Sequence, residues 1–253
     1  MHMMISIIPI NGLPIVKLGD DLAKLALQTS SNQGTPILDG DILVLCHVIV
    51  SRAEGRVIDL KTIEPSVPAE NFAAYTGKDP RLVEVILREA RAVRRMGPGV
   101  LVTENRQGFV CANSGVDKSN VPGEDIVAPL PLDPDDSAKR IREKIMGISG
   151  RNVAIIVCDT HGRAHRDGEV NVAVGSSGLN VIRDRRGEKD LFGYELHIKR
   201  TAVADELAAA AELVIGQADE GVPAAIIRGY RFEKSEISKA TELVRPRGMD
   251  LFI

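Results

Sequence analysis

The run Val153-Ala-Ile-Ile-Val-Cys158 is apolar without alternation and is followed at once by Asp159-Thr-His-Gly-Arg163. Unbroken Val and Ile over this length suits a strand covered on both faces, because each side chain meets a core whichever way it points. A second such run, Ala224-Ala-Ile-Ile227, lies near the C-terminus. Two doubly covered strands predict a sheet with helices over it. The polar group following the first strand then stands where open α/β sheets place their ligands, outside the carboxyl end.

Working outward, Ile5–Pro9, Asp41–Val50, Gly99–Thr103, Phe109–Ala112, Val170–Gly175, Glu195–Thr201 and Pro223–Arg228 are short and rich in β-branched residues, and read as further strands. Thr103-Glu-Asn-Arg-Gln-Gly108 reads as a hairpin connection. Asp79-Pro80 offers an N-cap and a first-turn proline, with Leu82, Val83, Val85, Ile86, Ala90 and Val93 at helical spacing behind it. Asp136 or Ser137 can cap a helix carrying Ala138, Ile141, Ile145 and Met146 on one face. Ala202–Ile215 is rich in Ala, Leu and Glu, all strong helix formers, and Asp20–Gln28 is a further helical candidate. Strands and helices mix without a regular βαβ rhythm. The expected fold class is therefore α+β, or irregular α/β, with mixed sheets and helices in two lobes of a single unit spanning 1–253. The apolar tail Leu251-Phe-Ile253 could pack on a partner subunit or simply fray.

Composition narrows the function. A chain of 253 residues with 44% hydrophobic content can build its core without disulfides. The net charge of −3 leaves no basic excess to neutralise a nucleic-acid backbone. The absence of Trp and only 3% aromatics argue against a base-stacking platform. No apolar run approaches the ~18 residues of a membrane span. Met1–Pro9 lacks the pattern of a signal peptide. Three dispersed cysteines, Cys46, Cys111 and Cys158, fit a reducing cytoplasm rather than a disulfide framework.

The common phosphate signatures are missing: there is no G-x-x-x-x-G-K-[ST], no strand followed by G-x-G-x-x-G, and no G-x-S-x-G elbow. Oxygen-bearing loops stand in their place. Asp159 and the Thr160 hydroxyl can bind hard cations, although an Asp turn relaxed by Gly162 accounts for the same residues. In Asn113-Ser-Gly-Val-Asp117-Lys-Ser-Asn120, Asp117 could join Asp159 around a divalent cation, and the Asn120 amide could read a base or ribose; a surface turn is the alternative. Gly216-Gln-Ala-Asp-Glu-Gly221 lets backbone approach a ligand, or is an ordinary helix C-cap loop. Arg52 and Arg56 of Ser51-Arg-Ala-Glu-Gly-Arg56 are partners for phosphate or carboxylate, or solvated charges. Cys158, His161 and His165 mimic zinc spacing, but no second ligand pair lies nearby in the sequence. Together the loops fit a metal-assisted phosphoryl-transfer site.

Eight motifs in order resemble the coenzyme F420-0:L-glutamate ligase family, in its stand-alone form. They are Asn11-Gly-Leu-Pro14, Ser51–Arg56, Asn113–Asn120, Pro131-Leu-Asp-Pro134, Asp159–Arg163, Lys189-Asp-Leu-Phe-Gly193, Val203-Ala-Asp-Glu206 and Gly216–Pro223. The resemblance implies a GTP-dependent ligase that adds L-glutamate to the deazaflavin coenzyme F420-0 through a gamma-linked amide, by way of an acyl phosphate, with successive additions. It implies two sites for Mg²⁺ or Mn²⁺, with K⁺ among the cofactors: Asp117 and Asp159 at one site, Thr160 and Gln217 at the other. The nucleotide contacts it implies are Asn11, Gly12, Leu13, Pro14, His47, Val48, Arg52, Asn120 and the loop Ile215, Gly216, Gln217, Ala218, Asp219, Glu220, Gly221 and Val222. An intertwined homodimer is implied as well. The chain departs from the family's common Ser-Thr at His47-Val48, from Lys at Arg52, and from Asn or an aromatic at His161.

Overall fold

The computed structural model describes residues 4–250. In chain order its elements are β1 (Ser6–Pro9), α1 (Leu22–Asn32), β2 (Ile42–Cys46), α2 (His47–Ala53), β3 (Ile58–Asp59), α3 (Val67–Thr76), α4 (Pro80–Glu89), β4 (Ala90–Gly97), β5 (Val100–Asn105), β6 (Val110–Ala112) and β7 (Ile126–Val127). The second half carries α5 (Pro134–Ser149), β8 (Ala154–Arg163), β9 (Arg166–Ser177), β10 (Ile182–Asp184), β11 (Arg200–Ala202), α6 (Val203–Ile215) and β12 (Ala224–Arg228).

The principal sheet has five strands in the order β1-β12-β2-β8-β9. Only β2 and β8 run parallel, with Ile42 opposite Ala154 through to Cys46 opposite Cys158. The other neighbours are antiparallel. The first four residues of β2, of β8 and of β12 are buried irrespective of parity. The two apolar runs therefore do what their composition demands: helices α5 and α6 pack on the sheet, and the strands are covered on both faces. Between β2 and β8 the chain builds a smaller three-stranded sheet, β4-β5-β6. A second hydrophobic cluster there gathers Leu60, Val83, Ile86, Leu101, Val116 and Val127.

Caps set several helix starts. The Asp21, Ser66, Asp79 and Asp133 side chains each accept a backbone N–H of the first turn of α1, α3, α4 and α5. For α5 this corrects the expected cap at Asp136 or Ser137, because Pro134 occupies the first helical position that suits proline.

Other boundaries moved. The strand expected over Asp41–Val50 ends at Cys46, whose N–H is taken by Pro223 O at 3.0 Å. From His47 to Ser51 the chain is helical and fully buried, so packing overrides the β preference of Val48-Ile-Val50. The α4 pattern stops at Glu89, and Ala90 and Val93 enter β4 instead. Most of Glu195–Thr201 is irregular, only Arg200–Ala202 pairing with β10, and Ile198 is exposed. The hairpin at 103–108 forms, joining antiparallel β5 and β6. The tail Leu251–Ile253 lies outside the described residues.

Truncating the doubly covered strand should cost far more than removing a cap. Ile156→Ala is expected to lose about 2–5 kcal/mol, and Asp133→Ala about 1 kcal/mol, more than Asp136→Ala. Urea denaturation of the three variants measures the order.

Candidate functional site

One end of the principal sheet collects the site. β1 and β2 finish there, β12 begins there, and Ile10 N–H reaches Ala224 O at 2.9 Å. β8 does not stop at Cys158 as expected but continues through Arg163 into a long hairpin with β9. The Asp159–Arg163 group is therefore strand rather than loop. A register shift between Val157 and Cys158 lets two residues of β9 pass one of β8. Such an irregularity re-aims the side chains that follow it.

A cavity of about 220 Å³ opens at this end. Its walls include Leu13, Pro14, His47, Val48, Arg52, Asp117, Asn120, Asp159, Thr160 and most of the loop from Ile215 to Val222. Of the residues nominated from the sequence, Asn11, Gly12 and Asp219 do not line it. The Asn11 N–H is held by Gln33 Oε1 at 2.9 Å, which ties that turn to the end of α1. Arg56, the other arginine of its motif, pairs with Glu89 at 2.8 Å and donates to Leu130 O, a structural use.

Asp159 is the hub. Its Oδ1 lies 3.4 Å from His47 Nε2, and its Oδ2 lies 3.0 Å from His161 Nε2. Burial pushes the carboxyl up, but His47, His161 and the Thr160 N–H outweigh it and hold the acid below its usual range. Burial works against the charge on His161 as well, yet the bond to Asp159 and the nearby Cys111 push it up to about 10. Asp117 Oδ2 is 3.9 Å from the same His47 nitrogen, so one buried imidazole stands between two carboxylates. Neither ring nitrogen of His47 has a hydrogen-bond partner. Behind Asp159, a Cβ at Gly115 would stand 2.8 Å from Leu130 Cγ and 3.3 Å from Asp159 Oδ2, with φ +73. Only glycine lets this backbone come so close to the carboxylate.

Strand alternation gives Thr160 other partners. Its Oγ1 is 2.8 Å from Asn171 Oδ1 and 3.0 Å from Gln217 Oε1. One hydroxyl proton cannot serve two carbonyl oxygens, so one of these oxygen–oxygen contacts lacks a proton. Gln217 Nε2 donates to Glu212 Oε1 at 2.6 Å, and Glu212 Oε2 is buried without a partner. Burial pushes the Glu212 carboxyl up. Gly216 starts the loop at φ 72 and ψ 179, a conformation open essentially to glycine alone. Glu212 and Asn171 were missed from the sequence. The available signal for Glu212 was an acid in the last turn of α6, where the helix dipole disfavours negative charge.

Crowded oxygens and two carboxylates are a hard-cation donor set. Among the described residues no group of three or more His, Cys, Asp or Glu side chains forms a metal centre by itself. The protein thus supplies one or two carboxylates and neutral oxygens, the partial set typical of an ion that completes its shell with water and phosphate. The donor set fits a divalent cation. Arg52, which donates to Asn120 O at 3.3 Å, places a guanidinium on the same wall.

A sheet-end cavity walled by Asp117, Asp159 and a glycine-led loop, in a chain without a P-loop, defines a mixed α/β protein. The F420-0:Gamma-glutamyl ligase family model matches residues 12–229, and the chain belongs to that family. It is 51% identical over 249 residues, 98% of both chains, to the coenzyme F420:L-glutamate ligase of Methanothermobacter thermautotrophicus. To the protein of the same name from Methanopyrus kandleri it is 48% identical over 240 residues, 94% of this chain and 93% of the relative. The Methanocaldococcus jannaschii protein of that name is 46% identical over 242 residues, covering 95% and 94%. No helix among the described residues is long and apolar enough to cross a membrane.

The opposed shifts of the Asp159–His161 pair set a pH signature for the metal-free chain. His161 is raised, so its contribution is full below the unfolded pKa near 6.5 and is lost as pH rises through about 10. Asp159 is lowered, so its share is lost only on acidification below the ordinary carboxylate range. Melting temperature should fall from pH 7 to pH 10, and His161→Gln should flatten that slope. An equal slope in the variant would contradict the pairing.

Proposed function

We propose that this chain uses GTP to join L-glutamate to the terminal carboxylate of coenzyme F420-0, with successive gamma-linked additions. The observation that carries this reading is the single cavity shared by Asp117, Asp159, Thr160, Gln217 and the loop from Gly216, which come from three distant parts of the sequence. Family membership and the names of the relatives supply the substrates.

A carboxylate does not condense with an amine in water at a useful rate, because its oxygen is a poor leaving group. The proposed path attaches phosphate to that oxygen first. The acceptor carboxylate attacks the γ-phosphorus of GTP, the bond to the β-phosphate oxygen breaks, and GDP leaves. The glutamate amine then attacks the acyl carbon, a C–N bond forms, inorganic phosphate departs, and the amine gives up a proton. Asp117 and Asp159 would hold one Mg²⁺ or Mn²⁺, and Thr160 with Gln217 a second. Bound there, the ions neutralise phosphate charge as it develops in transfer.

The chain's own residues do the rest. Arg52 offers a fork of donors to a phosphate oxygen. His47 lies within ion-pair distance of both acids and offsets their mutual repulsion when protonated. His161 fixes the second oxygen of Asp159, leaving its first oxygen directed at the cavity side where His47 and Thr160 N–H meet it. Asn120, with φ 52, turns its backbone carbonyl to Arg52 and its segment to the cavity.

Incubation with GTP, Mn²⁺, L-glutamate and unglutamylated deazaflavin, read by mass spectrometry, tests the reading. Glutamyl addition with GDP release is expected, and Asp159→Ala should lower it more than about 100-fold with an unchanged circular-dichroism spectrum. Nucleotide hydrolysis with the deazaflavin untouched would mean a different acceptor. Full turnover by Asp159→Ala would overturn the site.

A further inference from the structure

Cys46 and Cys158 are the two residues that precede His47 and Asp159, and the proposed chemistry uses neither. They stand directly opposite each other on the parallel pair β2 and β8. Both line the cavity. Paired strands lie about 4.7–4.9 Å apart, inside the Cα separation of about 4.4–6.8 Å that a disulfide spans. Residues in register on paired strands project to the same face, so the two side chains leave the sheet on the same side. Cys46 is half-buried and reachable, whereas Cys158 is 1% exposed. The Cys158 sulfur accepts from Asn171 Nδ2 at 3.5 Å, which holds it in place. The third cysteine, Cys111, sits on β6 and does not line this cavity.

We propose that Cys46 and Cys158 form a reversible, site-closing disulfide on oxidation by a peroxide. The Cys46 sulfur attacks the peroxide, an S–O bond forms, the O–O bond breaks, and water or an alcohol leaves. The Cys158 sulfur then attacks the resulting sulfenic acid, the S–S bond forms, and the hydroxyl departs with the Cys158 proton as water. Two electrons pass from the thiols to the peroxide, and a dithiol reductant reverses the change. The bond tethers the residues immediately before His47 and Asp159, so both site groups shift with it.

The linkage itself is independent of the ligase reading; only its effect on turnover rests on that reading. The full chain, free of metal, is treated with hydrogen peroxide, freed of oxidant, and divided between non-reducing peptide mass mapping and the glutamylation assay. The expected result is a Cys46 peptide joined to a Cys158 peptide with two hydrogens lost. Turnover should fall at least about tenfold, as when the supports of a metal ligand are displaced, and recover with dithiothreitol. Each variant is judged by its own treated-to-untreated ratio: C46S should lose the peroxide sensitivity and C111S should keep it. Peptides that stay unlinked, linked peptides with undiminished turnover, or a C46S protein inhibited like the wild type would each overturn the proposal. A failed ligase reading appears differently, as absent turnover before any peroxide is added.

Discussion

A carboxylate taken out of water must be paired or lose its charge, and Asp159 is paired twice. His47 and His161 approach its two oxygens from different elements, the start of α2 and the same strand two residues on. This doubly held acid links the cavity to the core. Its neighbours are constrained by it: Gly115 has no side chain because the carboxylate and Leu130 already fill that space. Removing either histidine would leave a buried charge under-compensated, a costly condition at low local dielectric.

The sheet explains why the pieces meet. Parallel pairing of β2 with β8 brings Cys46 level with Cys158, so the residues that follow, His47 opening α2 and Asp159 continuing β8, stand at the same height. Antiparallel β12 enters beside them and delivers the loop from Gly216, while β1 delivers Leu13 and Pro14. Beyond that level β8 continues as one arm of a hairpin. Its two-residue alternation gives Asp159 and His161 to each other and Thr160 to Asn171 and Gln217. A strand, stiffer than a loop, thus carries the acid and the hydroxyl a single residue apart.

Much of this was legible in the sequence. The apolar runs at 153–158 and 224–227 identified the two strands flanking β2, and the Asp79-Pro80 and Ala202–Ile215 patterns identified α4 and α6. The residues nominated as ligand contacts line one cavity except Asn11, Gly12 and Asp219, whereas Arg56 and the motifs at 131–134, 189–193 and 203–206 lie away from it. The failures share a cause. Val48-Ile-Val50 reads as strand by local preference, but Cys46 ends its ladder at Pro223 and the buried chain coils. Asp133 outcompeted Asp136 because proline fits one helical position better than others. Asn171 carries no local mark of function and Glu212 only an acid's unfavourable place in the last turn of α6; both matter where α6 and β9 come against Thr160 and Gln217.

In the proposed site Asp159 holds a divalent cation together with a bound nucleotide. Uptake of Mn²⁺ can be followed by loss of the free-ion electron paramagnetic resonance signal, with and without GTP, in the wild type and in Asp159→Asn, which keeps the shape and removes the charge. Nucleotide-dependent uptake by the wild type and at least about tenfold weaker uptake by the variant are expected. Equal uptake by the two proteins in the presence of GTP would contradict this assignment.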